Sequence, residues 1–323
     1  MNDMTVKIIA ACESRNIFRK SNIWILAYVT LNLVFIWAAL SGFSWNPRVL
    51  FHAIIFYAFS LLIALSPIGE WMLRLQTGCK KIKRKDQLEI IEPIFKEAYD
   101  AAKTASPGIP KNIKLYIHAS NTPNAFATGR KTICVTRGLL KMPKEQIRAI
   151  LGHEFGHIAH RDTYLLQAVI IGNFLVSAII IAVKAIVWIG TTIAQIDALS
   201  GSPYSMIGNS MQFVVAGITK LFALIGISVF SWIWTKLGIL MVRKSSRENE
   251  FEADRFAASC GYADDLIAAL DHLADAQEDG EDDKGLFNQL SKTHPDLDTR
   301  IAKLQEITNT YVQSPTTQNE DSL

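Results

Sequence analysis

Residues His153-Glu154-Phe155-Gly156-His157 place two imidazoles four positions apart, with a glutamate directly after the first. On a helix such rings share a face and can reach one Zn²⁺ at roughly 2.0–2.1 Å while Glu154 stays free. That leaves Glu154 as the general base, able to take a proton from an activated water and return it to a leaving amine. The surroundings predict a helix. Pro143 opens the segment, Glu145 lies in its first turn, and Ile147, Ile150, Leu151, Phe155 and Ile158 recur on one side. The competing reading is a surface helix with two solvated histidines.

A tetrahedral catalytic zinc needs a third protein ligand. Metallopeptidases with short ligand spacing carry glycine at position 160 and histidine at 163; here those positions are His160 and Thr163, which excludes that class. The remaining choice is a carboxylate from a later helix, and residues 246–254, SRENEFEAD, offer one. Glu250 and Asp254 are i, i+4 neighbours, suited to a ligand carboxylate and a second carboxylate that orients a ligand imidazole. Glu248 and Glu252 have the same spacing, and an exposed charged face would look alike, so spacing leaves the choice open.

The zinc-helix motif and the S-R-x-x-E-F-x-A-D run together resemble the HtpX and CAAX-prenyl-protease family of integral-membrane zinc peptidases. Two more stretches fit in the same order: Asn124-Ala125-Phe126-Ala127-Thr128-Gly129 before the zinc helix, and His294-Pro295 with Arg300-Ile301 after it. The resemblance spans about Leu115 to Leu304. It implies Zn²⁺ as cofactor, one per chain, and Glu250 as the third ligand. It also implies that Asn124 and Ala125 sit on a strand edge that receives substrate, and that His294 lies near the site, where it would stabilise an oxyanion. Arg300 is read as structural, pairing with an acidic group such as Asp254.

Composition bears on the same question independently. Half of the 323 residues are hydrophobic, net charge is only +3, and mean hydropathy is positive. That is too apolar for an ordinary soluble enzyme. Four runs are long enough to cross a bilayer: Ile23–Phe43, Val49–Ile68, Leu165–Ile189 and Phe213–Val242, the last with Lys220 and Lys236 bracketing its most apolar part. Basic residues cluster before the first run (Lys7, Arg15, Arg19, Lys20), after the second (Arg74, Lys80, Lys81, Lys83, Arg84, Lys85) and after the fourth (Arg243, Lys244, Arg247). The connection between runs three and four has no lysine or arginine, so both termini are expected in the cytoplasm. Two crossings separate His157 from Glu250, which returns the ligands to one side of the membrane. Three would have put a core of roughly 30 Å between them.

The expected architecture is α+β and mostly helical: four transmembrane helices with a cytoplasmic gluzincin-like zinc peptidase domain that carries a small β-sheet. Residues 1–76 form an N-terminal segment and transmembrane hairpin, 77–163 the first part of the catalytic domain, 164–242 the second hairpin, 243–310 the second catalytic part, and 311–323 a disordered tail. Within the catalytic part, Leu88–Ala102 reads as a helix, and 114–118 and 132–136 as strands, with edge-strand material at 121–129 between them. An edge strand beside a zinc helix can take up a peptide as an added strand. The basic run at 80–85 is expected to rest on anionic lipid. A helix is expected at 263–276, then an acidic solvated loop at 278–284 and a short terminal helix.

The first apolar run is long and starts about twenty residues in, so it reads as a retained anchor rather than a cleaved signal. Cys12, Cys79, Cys134 and Cys260 have no paired spacing and read as reduced thiols. His52, His118, His160 and His272 have no partner at useful spacing. Internal repeats, phosphate loops and nucleic-acid patches are not found.

These readings converge on a membrane-bound zinc-dependent endopeptidase in a bacterial inner membrane. Its partners would be polypeptide substrates, membrane proteins among them, and the lipid bilayer, with no nucleic acid. Through the resemblance, the expected role is degradation of misfolded or damaged membrane proteins under stress. The alternatives are a prenyl-protein (CAAX-type) peptidase, against which the small number of spans counts, and a catalytically silent zinc-stabilised membrane scaffold, which would have no use for Glu154.

Overall fold

The computed structural model describes residues 23–42, 44–200, 206–278 and 297–313. Two compact units emerge among the described residues: one comprises residues 26–62 and 168–242, the other residues 23–25, 63–167 and those from 243 on.

The first unit is built from α1 (Ile23–Leu40), α2 (Pro47–Ala64) and long stretches of α6 (Asp162–Ser200) and α7 (Met206–Ser259). Each of the first two has 18 residues, about 27 Å at the helical rise of 1.5 Å, close to the thickness of a bilayer core. The apolar windows of the other two are Val176–Asp197 and Ser210–Gly238. Phe51, Phe222 and Trp232 are all more than 60% exposed. Such a continuous apolar exterior fits contact with lipid rather than water. Inside the unit a few polar groups tie helices together. Trp234 donates its indole N–H to the buried Asn32 side chain at 3.1 Å, and Lys220 donates to Thr192 at 2.9 Å while lying over the Trp188 ring.

Local chemistry sets where the apolar helices stop and start. The second ends at Ala64 rather than Ile68, because Ser66 and Pro67 start a separate helix, α3 (Pro67–Gln76), with the Ser66 hydroxyl capping the Ile68 amide. Helix α6 starts at Asp162, and its first turns carry Thr163 and Gln167, which are buried and hydrogen-bonded to Gly129 and Ala64 in the second unit. The first stops at Leu40; Phe43 lies outside the described residues.

The second unit holds a four-stranded sheet in the order β1-β2-β4-β3, formed by β1 (Lys80–Lys81), β2 (Lys114–His118), β3 (Ala125–Thr128) and β4 (Thr132–Thr136). Strands β2 and β4 pair in parallel, with Tyr116 opposite Cys134, while β3 folds back antiparallel on β4 through the turn at Gly129, whose φ of 61° suits glycine. Lys80 and Lys81 of the basic run form the opposite edge strand, which the sequence reading did not foresee. The zinc-motif helix α5 (Lys144–His160) and α4 (Lys85–Ala105) pack together, and Ile91, Ile94, Ile133, Val135, Ile147, Leu151 and Phe155 form their common core. A smaller cluster, with Ala149, Ala257, Leu266, Leu270 and Leu304, joins α5 and α7 to α8 (Ala263–Glu278) and α9 (Leu297–Gln313). The terminal helix has 17 residues and runs to Gln313, longer than its sequence suggests. The acidic loop, His294-Pro295 and the tail from 314 lie outside the described residues.

Candidate metal centre

Two helices converge on one small volume. Helix α5 presents His153 and His157 one turn apart, and the last turns of α7 bring Glu250 against them. The gaps are 3.2 Å between the two Nε2 atoms, 3.3 Å from His153 Nε2 to Glu250 Oε2, and 3.4 Å from His157 Nε2 to Glu250 Oε1. Ligands on a tetrahedral zinc at roughly 2.0–2.1 Å stand about 3.3 Å from one another, so this donor set fits the ion. Of the equally spaced carboxylates, Glu250 is the one that faces the rings; Glu252 lies 4.0 Å from His160 instead, and Glu248 is exposed.

The close approach of α7 depends on Gly156, inside the motif itself. A Cβ there would lie 2.9 Å from the Ala253 Cα and 3.1 Å from the Phe256 Cβ. Glycine lets α7 come near enough for Glu250 to reach the rings.

Carboxylates hold the far nitrogen of each ring. His153 Nδ1 lies 2.8 Å from Asp254 Oδ1, and His157 Nδ1 lies 3.2 Å from Asp162 Oδ2. A proton on each Nδ1 leaves both Nε2 lone pairs turned toward Glu250. Arg300, from α9, grips Asp254 with Nε at 2.8 Å and Nη2 at 2.6 Å. Its Nη2 and His153 Nδ1 share one carboxylate oxygen, which explains why they stand 3.3 Å apart with no bond of their own. Arg300 Nη1 also reaches Glu250 Oε2 at 3.3 Å.

His153, Glu154, Glu250, Asp254 and Arg300 are each 3% exposed. Burial alone pushes the Asp254 carboxyl up, but the Arg300 charge and His153 draw it down to about 2, so it stays ionised. Burial works against a charged His157, yet Asp162 and Glu250 lift its pKa well above the usual value. Burial and Arg300 lower His153, and Asp254 with Glu250 more than offset them. Carboxylates that favour a proton on these nitrogens also favour a divalent cation there, since both compete for one lone pair.

Glu154 points to the sheet rather than to the other carboxylates' ligands. Its Oε2 accepts the Ala127 N–H at 2.6 Å. Just before β3, the Asn124 carbonyl accepts from the Thr136 amide, so by antiparallel alternation Phe126 faces β4 while the amides and carbonyls of Ala125 and Ala127 face outward. Asn124 itself precedes the strand, its amide donating to the Thr136 hydroxyl at 2.9 Å. His294 lies outside the described residues.

Three contributors escaped the sequence reading: Asp162, Gly156 and the Ala127 amide. Asp162 turns back to His157 because Arg161 caps α5 in the left-handed region, at φ 64°. No side-chain pattern announces a left-handed arginine or a backbone donor.

A membrane-integral metallopeptidase, in which a glutamate from a distant helix joins the H-E-x-x-H histidines, is the class that this fold and site define. The profile of Peptidase family M48 matches residues 89–308, and the chain belongs to that family. It is 26% identical over 317 residues to Protease HtpX of Hydrogenovibrio crunogenus, covering 90% of this chain and 96% of that protein. It is 30% identical over 258 residues to Protease HtpX of Shewanella piezotolerans, covering 74% and 81%. The solved structure of S. mikatae Ste24p aligns at TM-score 0.43 with 18% identity, over 93% of this chain and 67% of that one. The protein is a multi-pass membrane metalloprotease that acts on peptide bonds.

Proposed function

We propose that His153, His157 and Glu250 hold one Zn²⁺ and that the chain is an endopeptidase of membrane protein quality control, cutting damaged membrane proteins on the cytoplasmic side of a bacterial inner membrane. The observation that carries the zinc assignment is the approach of the two Nε2 atoms to each other and of each to one Glu250 oxygen, all within 3.2–3.4 Å, with both Nδ1 atoms tied to carboxylates. Bound there, the ion would polarise the scissile carbonyl and acidify water at its open fourth position.

Everything else is asked of the chain. Glu154 takes the proton from the attacking water and delivers it to the departing amine, so the tetrahedral intermediate forms without a covalent link to the enzyme. The Ala127 amide keeps the Glu154 carboxylate aimed while it waits. The outward backbone groups of Ala125 and the outward carbonyl of Ala127 align an extended peptide by main-chain bonds, which suits a protease that must accept many sequences. Asp254, Asp162 and Arg300 position the imidazoles. His294 is assigned the oxyanion through the family resemblance.

Orientation rests on the basic residues that follow the second and fourth spans, Arg74 to Lys85 and Arg243 to Arg247, and the even number of crossings keeps His157 and Glu250 on one side. The quality-control role rests on the relatives named Protease HtpX and on a substrate edge that reads backbone rather than side chains.

The test compares purified wild type with Glu154→Gln, measuring bound zinc and cleavage of an unfolded reporter. The expected result is about one zinc per chain in both and cleavage only by the wild type. Equal cleavage by both removes Glu154 from the mechanism, and cleavage by neither favours a zinc-stabilised scaffold.

A further inference from the structure

We propose that α3 is a membrane-interface helix: its outer face, Ile68, Trp71 and Leu75, seats in the head-group layer of an anionic bilayer, while its inner face fixes the hairpin that carries the substrate edge. The three side chains fall at i, i+3 and i+7 and are 58%, 54% and 61% exposed, on a helix whose opposite side buries Leu73. A tryptophan between two aliphatic residues is the composition that partitions into the boundary between acyl chains and head groups.

The bilayer, rather than a protein partner, is indicated by what precedes and follows the helix. Helix α3 begins three residues after Ala64, where the apolar span α2 ends, so the chain has little length in which to leave the membrane surface. The corner is built tightly. A Cβ on Gly69 would lie 1.8 Å from the Ala64 carbonyl oxygen, and Gln167 donates its side-chain amide to that same oxygen. Beyond α3 come Lys80, Lys81, Lys83 and Lys85, all exposed; Arg84 is already engaged by Asp86. Four lysines beside an apolar face complement anionic head groups.

The inner face leads to the site. Glu70 accepts the Lys131 amide at 3.0 Å and the Thr132 hydroxyl at 2.7 Å, and Arg74 donates to the same hydroxyl at 3.2 Å. At the hairpin tip, the Gly129 carbonyl accepts the Thr163 hydroxyl, and a Cβ on Gly129 would meet the Glu70 Cγ at 2.8 Å. Strand β3 runs from this clamped tip to the Ala127 amide that holds Glu154. A bilayer that supports α3 thereby supports the edge on which substrate is laid. This coupling rests on the proposed roles of β3 and Glu154; the docking surface does not.

The experiment uses the full chain in vesicles of phosphatidylcholine, with or without one-third phosphatidylglycerol. Wild type and Trp71→Phe are compared so that the difference emission reports Trp71 alone. Lipids brominated near the head of the acyl chain are expected to quench that difference several-fold more than lipids brominated near its end, and more strongly in the anionic vesicles. A difference emission untouched by bromolipid but quenched by aqueous iodide overturns the docking surface. Equal quenching in both compositions removes the anionic head group from it. In the anionic vesicles Glu70→Gln is expected to raise KM about tenfold, with kcat, zinc content and Trp71 quenching retained. A wild-type KM overturns the coupling. A wild-type protein that is quenched as expected yet cleaves nothing condemns the peptidase mechanism and leaves the docking surface standing.

Discussion

The two edges of the sheet make opposite use of the same exposed backbone. At one edge β1 offers Lys80 and Lys81, both exposed, and such charges discourage any further strand from adding. At the other, β3 reads Ala-Phe-Ala-Thr, without charge, and turns the backbone groups of Ala125 and Ala127 outward beside Glu154. An unpaired edge is a hazard in most proteins. Here one edge is blunted and the other is left open beside the zinc-motif helix, which is the contrast that the proposed substrate edge requires.

The most severe way to test that contrast is to place proline on each edge in turn. At position 127 the missing N–H points away from β4, so the sheet can accept the ring while Glu154 loses its donor. Ala127→Pro is expected to lower kcat/KM by about 10²-fold or more with zinc content unchanged, within the range typical of disabling a general base. At the lysine edge, Lys80→Pro is expected to cost about 1 kcal/mol of stability and to leave cleavage in detergent within about twofold of wild type. Matching losses at both edges would erase the distinction.

Between these extremes lie changes that leave both edges intact and loosen the metal site. Gly156→Ala forces α7 away from α5, an overpacking worth about 1–3 kcal/mol, and is expected to weaken zinc binding by about tenfold or more by competition with a chelator. Asp254→Asn and Asp162→Asn each remove a carboxylate behind a ring and are expected to cost about 10–100-fold in zinc affinity. Asp254 should be the costlier of the two. Its contact is shorter, 2.8 Å against 3.2 Å, and its loss takes from the buried Arg300 the carboxylate that it grips through two nitrogens.

Much of this arrangement could be read beforehand because it is written in side-chain types at short spacing. Two histidines four apart, four long apolar runs and the strands at 114–118 and 132–136 all announce themselves in this way. The third carboxylate was harder, because Glu250 and its neighbours share one spacing and the decision is made by where Gly156 allows α7 to pack. Asp162 depends on a left-handed Arg161, and Ala127 acts through its amide, so neither leaves a pattern in the side chains. Helix α3 hid inside an apolar run. Ser66 followed by Pro67, a capping residue before a proline at the first helical position, was the available sign that the span had ended. The arginine grip on Asp254 joins residues 46 apart, a pairing that chemistry makes plausible and only the fold makes specific.

The most direct measurement is X-ray absorption at the zinc edge on the purified, zinc-loaded chain, alongside Glu250→Ala. One zinc is expected, with two imidazole nitrogens at roughly 2.0–2.1 Å and oxygen ligands at roughly 2.0–2.2 Å, and with the carboxylate contribution lost in the variant. A sulfur shell at roughly 2.3 Å, or a spectrum that Glu250→Ala leaves unchanged, would contradict it.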